Sequence, residues 1–329
     1  MTVSFSQWLS ESLSHLQANN RSIPGRMIRP LYYVYVGSML TATKHYRWGT
    51  NVFDRKWDLL VILDACRVDA LQEVADEYDF LGQIESITSV GSTSFEWMNH
   101  TFDKTYEEEI GRTAYITSNG YTQRVLTQGG DTGHAAMPFG PTEYNVVPPE
   151  GFGHLEELWR TDLEDYPEWV IGNNDRTRQS PQYTTDRAIN AGRNINADQM
   201  MVHYMYPHDP FPLAEPELFE PFDPLRRGDV SRDTVWDRYL ENLRLVLDEI
   251  ELLIENVDAE TVAITADHGE AFGEYGFYRH VIGCPLSCVR QVPWAETTAV
   301  DTETYTPTAP TSGSQTISAE ETLEHLGYL

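Results

Sequence analysis

Residues 57–71, WDLLVILDACRVDAL, decide the fold class of this chain. Residues 59–63 form a continuous apolar run, which is typical of a strand buried on both faces of a parallel sheet. Asp64 ends the run, and a helix is predicted from about residue 67 to residue 77. This strand, turn and helix in succession indicate the α/β class.

The rest of the chain continues the alternation of strands and helices. Residues 84–100 predict a strand, a turn of small residues and a helix start, and residues 231–256 predict the longest helix. Further apolar strands are predicted at residues 113–117, 199–205 and 260–266. No internal repeat is present, so we expect one α/β domain around a mostly parallel sheet.

Three regions follow from this pattern. Residues 1–50 predict a helical lead-in, with apolar residues at helical spacing, and residues 51–295 predict the main α/β domain. Residues 296–329 predict a loose segment rich in Thr and Pro, then a terminal helix that packs on the same domain. The apolar residues of the lead-in are Trp8, Leu9, Leu13 and Leu16.

The composition is strongly acidic. The 329 residues include 51 Asp and Glu against 23 Lys and Arg, which gives a formal charge of −28. This balance argues against nucleic acid as a ligand, because phosphate backbones require a basic surface. The lysines are only Lys44, Lys56 and Lys104, and so many carboxylates with so little lysine predict a protein adapted to concentrated salt.

The termini and cysteines predict a cytoplasmic protein. The N-terminus has no basic stretch followed by an apolar one, so no signal peptide is expected. The apolar residues 31–40 are too few to span a bilayer, so any membrane association is expected to be peripheral. Three cysteines, Cys66, Cys284 and Cys288, are too few for a disulfide framework and are expected to be structural. The sequence makes no prediction of the oligomeric state.

Polar residues at the predicted strand ends indicate a metal site. Ligands of parallel sheets bind at the carboxyl ends of the strands. Asp64 ends one strand, and Asp267 and His268 end another. Two carboxylates and an imidazole suit a divalent cation such as Mn²⁺, Zn²⁺, Mg²⁺ or Ca²⁺, as one ion or two. The alternatives are a helix N-cap for Asp64 and a polar turn at residues 267–269.

A cluster of hydroxyls provides the candidate nucleophile. Ser92, Thr93 and Ser94 precede a predicted helix, and Glu96 follows Thr93 at capping-box spacing. Coordination to a metal lowers the pKa of an alcohol, and a helix N-terminus binds anions. Thr93 is the preferred nucleophile and metal-bound hydroxyl, although the residues alone do not separate it from its two neighbours.

Three further residues are candidates for acting on or binding the substrate. His208 and His280 are each expected to ligate a second metal, bind a substrate oxygen or protonate the leaving group. Arg67, three residues after Asp64, is expected to bind an oxyanion of the substrate, and the alternative is a structural salt bridge. His203 lies within an apolar strand and is expected to be a core residue.

Several motifs resemble the sulfatase-like branch of the alkaline phosphatase superfamily. These are VILDACRVD, VHYMYPHDPF, and ITADHGEAFGEYG followed by His280. The resemblance implies a three-layer α/β sandwich in which Asp64, Asp267 and His268 bind metal. It also implies that Thr93 is similar to the threonine nucleophile of lipoteichoic acid synthase-like phosphoglycerol transferases, and that His208 lies near the charged oxygens of the substrate.

One departure from the family narrows the function. Sulfatases carry a Cys or Ser within C/S-x-P-x-R, and no such pattern is present. We therefore expect a metal-dependent hydrolase that acts on a phosphate or sulfate ester of a small molecule or glycan through a Thr or Ser alkoxide. The alternatives are a phosphoglycerol-type phosphotransferase of surface glycan or lipid metabolism, and a non-catalytic binding protein on the same fold.

Overall fold

A seven-stranded sheet forms the centre of the protein. The computed structural model describes residues 23–130, 139–141, 143–161 and 180–309. In spatial order the strands are β2, β7, β6, β1, β5, β3 and β4. Their bounds are β1 Leu59–Asp64, β2 Ile84–Thr88, β3 Thr113–Thr117, β4 His154–Glu157, β5 Gln199–Pro207, β6 Ala259–Ala266 and β7 Gln291–Ala299.

The sheet is mostly parallel. Strand β1 pairs in parallel with β5 and β6, and β3 pairs in parallel with β4 and β5. Only β7 runs against its neighbours, β6 and β2. The carboxyl ends of the other six strands therefore lie at one edge. All six residues of β1 are buried, as the apolar run predicts.

Helices cover both faces of this sheet. The hydroxyl of Tyr204 in β5 contacts Thr185 of helix α5 (Pro181–Asn194). The ring of the preceding residue, His203, packs against Trp97 of helix α3 (Ser94–Thr101). Alternate side chains of a strand point to opposite faces, so α5 and α3 lie in different layers. The helices are α1 Ile23–His45, α2 Val68–Val74, α3 Ser94–Thr101, α4 Glu107–Ile110, α5 Pro181–Asn194, α6 Phe222–Arg227, α7 Arg232–Ile254 and α8 Ser287–Arg290.

The predicted class, α/β with a mostly parallel central sheet, is confirmed. Strand β7 is a correction, because residues 296–299 belong to this strand and not to a loose segment. The sequence of this strand has short apolar and polar stretches in place of a strict alternation, and it contains Pro293. Both features make the strand difficult to predict from sequence. The predicted domain boundary at residue 295 therefore lies inside β7.

Some expectations lie outside the described residues. These are the helical pattern around Trp8 to Leu16 and the terminal helix after residue 310. Among the helices that the structure describes, none is long and apolar enough to cross a bilayer. All three cysteines are free, and Cys66 and Cys284 are buried.

Candidate metal centre and active site

The pairing of β1 with β6 brings the first group of candidate metal ligands together. Leu63 aligns with Ala266, so Asp64 and Asp267 leave the sheet side by side. Asp64, Asp267 and His268 are completely buried, and their candidate ligand atoms all lie within 4.8 Å of one another. The His268 Nε2 atom is 3.6 Å from Asp64 Oδ1 and 3.5 Å from Asp267 Oδ2.

Hydrogen bonds hold these ligands in place. Asp267 Oδ1 accepts the backbone N–H groups of Ala65 at 3.3 Å and of His268 at 2.8 Å. Asn119, which follows β3, donates from Nδ2 to Asp64 Oδ2 at 3.2 Å. The His268 Nδ1 atom bonds to the Gly269 carbonyl at 2.9 Å, which leaves Nε2 directed at the two carboxylates.

The pKa shifts of His268 and Asp267 favour the forms that bind a cation. Burial lowers the pKa of His268 below its ordinary value. Burial by itself would raise the pKa of Asp267, but the charges of His268 and His203 and the bond from Ser94 hold it below its ordinary value. A neutral imidazole and ionised carboxylates are the forms that bind metals. Because two buried carboxylates need a compensating charge, the group fits a divalent cation.

The structure separates the three adjacent hydroxyls. Ser94, at the start of α3, donates from Oγ to Asp267 Oδ2 at 2.7 Å, and its Oγ lies 3.5 Å from both Asp64 Oδ2 and His268 Nε2. Thr93 is the N-cap of α3, and its Oγ1 accepts the Glu96 N–H at 3.2 Å. Ser92 donates to the Glu96 carboxylate. The hydroxyl at the candidate metal centre is thus that of Ser94, whereas the sequence analysis preferred Thr93.

A second group of possible ligands lies beside the first. His208, Glu270 and His280 also have ligand atoms within 4.8 Å of one another. The His280 ring centroid is 4.1 Å from that of His268 and 5.1 Å from that of His208. Both predicted histidines are therefore part of the site. Glu270 was not singled out by the sequence analysis, although it lies within the Asp-His-Gly-Glu motif.

The pKa values of this second group favour ligation over acid catalysis. Burial lowers the pKa of His280 to about 4, so its imidazole is neutral near pH 7. Burial raises the pKa of Glu270 to about 7, and its Oε2 lies 3.2 Å from His280 Nδ1. A cation between these side chains would favour the ionised carboxylate. The general-acid role expected for His280 has less support than the ligand role.

Arg67 is occupied by partners within the protein. Its Nε and Nη2 donate to the Asp69 carboxylate at 2.8 and 2.6 Å. Its Nη1 donates to Glu274 Oε1 at 2.7 Å and to the Glu270 carbonyl at 2.9 Å. These contacts match the structural salt bridge that was the alternative for this residue. They do not support its expected role in binding an oxyanion.

The guanidinium beside the second group belongs to Arg279. It donates to Asp209, at 3.0 Å between Nη1 and Oδ1, and its Nη2 lies 2.8 Å from Oδ2. Asp209 and Asn119 both follow predicted strands, so the strand-end rule offered a signal for them. Arg279 lies in a loop, and no local pattern distinguishes it. His203 is completely buried, as expected, with Nδ1 2.9 Å from the Tyr115 hydroxyl.

Comparisons with known proteins give likenesses of structure only. No protein-family model matches the chain, and no functionally curated protein matches its sequence. The soluble domain of lipooligosaccharide phosphoethanolamine transferase A from Neisseria meningitidis is 14% identical, with a TM-score of 0.44 over 73% of this chain and 75% of that chain. The C-terminal periplasmic domain of EcEptC from Escherichia coli, a complex with Zn, is 11% identical, with a TM-score of 0.40 over 76% and 75%.

A sulfatase structure gives a similar result. A 2-O GAG sulfatase is 13% identical, with a TM-score of 0.40 over 73% of this chain and 63% of that chain. Phosphoethanolamine transferase domains and sulfatases belong to the alkaline phosphatase/sulfatase-like superfamily, which the motifs of this sequence resemble. Overlaps of this extent do not identify an activity.

Proposed function

We propose that this protein is a metal-dependent enzyme that cleaves phosphate or sulfate esters with Ser94 as its nucleophile. One observation carries the proposal: the Ser94 hydroxyl donates to Asp267 at 2.7 Å within a buried group of two carboxylates and an imidazole. A small-molecule or glycan substrate and a cytoplasmic location remain part of the proposal.

The chain's own residues supply most of the chemistry. The bond from Ser94 to Asp267 Oδ2 orients the Ser94 hydroxyl, and its proton passes to water as Ser94 Oγ attacks the phosphorus or sulfur atom of the ester. The bond to the leaving oxygen breaks as the bond to Ser94 Oγ forms, and the leaving alkoxide takes a proton from water. Water then attacks the phosphorus or sulfur atom of the serine ester, which releases phosphate or sulfate and restores the Ser94 hydroxyl. Asp64, Asp267 and His268 would hold a divalent cation, which stabilises negative charge on alkoxide and ester oxygens.

The second group has a complementary role in this proposal. His208, Glu270 and His280 would hold either a second cation or the charged oxygens of the substrate. In both cases positive charge or hydrogen-bond donors act on the ester beside the first group. Asn119 orients Asp64, and Asp209 together with Arg279 borders His208.

The test is hydrolysis of model esters by purified protein in molar KCl. The substrates are p-nitrophenyl phosphate, bis(p-nitrophenyl) phosphate and p-nitrophenyl sulfate, each with Mn²⁺, Zn²⁺, Mg²⁺ or Ca²⁺. We expect Ser94→Ala to lower kcat by about 10³-fold or more, because a lost nucleophile has no replacement. Thr93→Ser is the matched control, since it keeps the N-cap oxygen and should retain most of the activity.

Two results would contradict the proposal. Activity that survives Ser94→Ala would exclude this nucleophile, and no cleavage of any ester by the folded wild type would exclude a general hydrolase. Adding glycerol or a sugar separates hydrolysis from transfer, because an acceptor hydroxyl competes with water for the same serine ester. Faster release of p-nitrophenol with the acceptor would favour the phosphotransferase alternative.

A further inference from the structure

Glu96 is a buried carboxylate that the proposed chemistry does not use. It lies in the first turn of α3 and is 1% exposed. Its Oε2 atom accepts the backbone N–H of Ser92 at 3.2 Å, the N–H of Gly283 at 3.0 Å and the Ser92 hydroxyl. Three donors therefore converge on one oxygen of a side chain that belongs to neither group of candidate metal ligands found among the described residues.

These donors come from two different parts of the site. Ser92 belongs to the turn that presents Ser94 to Asp267, and Gly283 follows His280 by three residues. The Ser92 hydroxyl strengthens the link, because it lies 2.9 Å from the Val281 carbonyl and accepts the Cys284 N–H at 3.1 Å. Glu96 and Ser92 thus join the nucleophile turn to the loop that carries His280.

Helix α1 holds the same loop from another side. The Tyr32 hydroxyl donates to the Ile282 carbonyl at 3.4 Å, and the Tyr35 hydroxyl donates to the Gly283 carbonyl. Ile282 packs against Val36 and Leu40 of this helix. The loop of residues 281–284 is therefore fixed between α1 and the Glu96 carboxylate, and strand pairing plays no part in positioning it.

We propose that Glu96 is a positioning residue that sets the placement of His280 relative to Ser94. The inference rests on the proposed function, because it assigns Glu96 to the assembly of the same site. Asp64, Asp267 and His268 come from paired strands and need no such link. The second group comes from loops, so its position depends on side-chain bonds such as those of Glu96. The acceptor lies at the N-terminal end of α3, where the helix dipole favours a carboxylate.

The test compares Glu96→Ala, Glu96→Gln and Glu249→Ala in the full-length protein. Glu249, a half-buried glutamate on α7 outside the site, is the matched control. Hydrogen–deuterium exchange of residues 279–285 and of residues 262–268 is measured by mass spectrometry, together with kcat and KM. We expect Glu96→Ala to speed exchange at residues 279–285 and leave exchange at residues 262–268 unchanged.

The kinetic expectation follows from misplacement of His280. Glu96→Ala should lower kcat by about 10²-fold with a much smaller change of KM, because a shift of about 1 Å misaligns the reacting groups. Glu96→Gln, whose amide oxygen can accept the same donors, should recover most of the activity. Ser92→Ala removes the hydroxyl contacts alone and repeats the test in a milder form if Glu96→Ala does not fold.

The outcomes separate this inference from the proposed function. Unchanged exchange at residues 279–285 in Glu96→Ala, or an equal loss of kcat in Glu249→Ala, would overturn the positioning role. If the wild type cleaves no ester, the proposed function fails, but the exchange measurement still decides whether Glu96 holds the His280 loop. Failure of Glu96→Gln to restore kcat would show that the negative charge acts in the reaction and that positioning is the wrong account.

Discussion

Three adjacent hydroxyls have three different roles at the residue scale. Thr93 caps α3, Ser92 bonds to Glu96, and Ser94 donates to Asp267. All three carry the same functional group, so their chemistry differs only through their neighbours. The capping interaction of Thr93 with Glu96 agrees with the sequence analysis, and this role leaves its oxygen engaged with the backbone of α3.

The salt bridges of Arg67 lead to a prediction at the same scale. Arg67→Met should lower the free energy of unfolding by about 2 kcal/mol, because Asp69 and Glu274 lose their common partner but are themselves partly exposed to water. KM for a model ester should change little. Urea unfolding and steady-state kinetics check both values. A large rise of KM at unchanged stability would instead support the oxyanion-binding role.

Strand register is the main determinant of the site at the element scale. Parallel pairing of β1 with β6 and with β5 aligns their carboxyl ends, and the polar residues that follow them meet at this edge. Ala65 occupies the left-handed region at φ 61° directly after β1, and its N–H reaches Asp267. A strained turn is tolerated where it positions a metal ligand.

The packing of α5 against α7 gives a pH-dependent prediction. Burial, with the charges of Asp186 and Asp248 nearby, raises the pKa of Glu249 from its ordinary value of 4.5 to about 7. The folded state therefore holds this proton more tightly than the unfolded chain does. Stability from this group is present at low pH and is lost as pH rises from about 4.5 to about 7.

Glu249→Gln removes this titration. The variant should be more stable than the wild type above pH 7, by about 1–3 kcal/mol, and the two should converge near pH 4. Urea unfolding at several pH values between about 4 and 8 checks the expectation. Parallel pH profiles for the two proteins would show that Glu249 is ionised at little cost in the folded state.

At the scale of the whole molecule, the main feature is the excess of negative charge. A formal charge of −28 on 329 residues repels itself in dilute buffer, and many surface arginines pair with carboxylates without removing this excess. In 1 M salt the Debye length falls to about 3 Å, so most of the repulsion between surface carboxylates is screened.

Stability should therefore rise with KCl. We expect the free energy of unfolding to increase by at least about 2 kcal/mol between 0.1 and 2 M KCl, and urea titrations measure it. Sucrose at matched osmolality is the control, because it is excluded from the protein surface but does not screen charges. Full stability in dilute buffer would contradict the predicted adaptation to salt.

The candidate site residues and strand β7 show which features could be predicted from the sequence. Asp64, Asp267 and His268 were predicted together because each follows a buried apolar strand, and that pattern is local. His208 and His280 were each predicted to be site residues. The group that they form with Glu270 was not predicted. Strand β7 was missed, because an antiparallel strand between two others receives its burial from its partners and carries a weak apolar pattern of its own.

The sequence by itself determined the α/β class, the strand ends that carry the acidic candidate ligands and the acidic character of the chain. These features depend on local hydrophobic runs and on composition, which are present before the chain folds. The tertiary structure decided that Ser94 meets Asp267, that Arg67 is held by Asp69 and Glu274, and that Glu96 links two loops. These contacts join residues distant in sequence, and only the packing of the strands and helices sets which atoms come within hydrogen-bond distance.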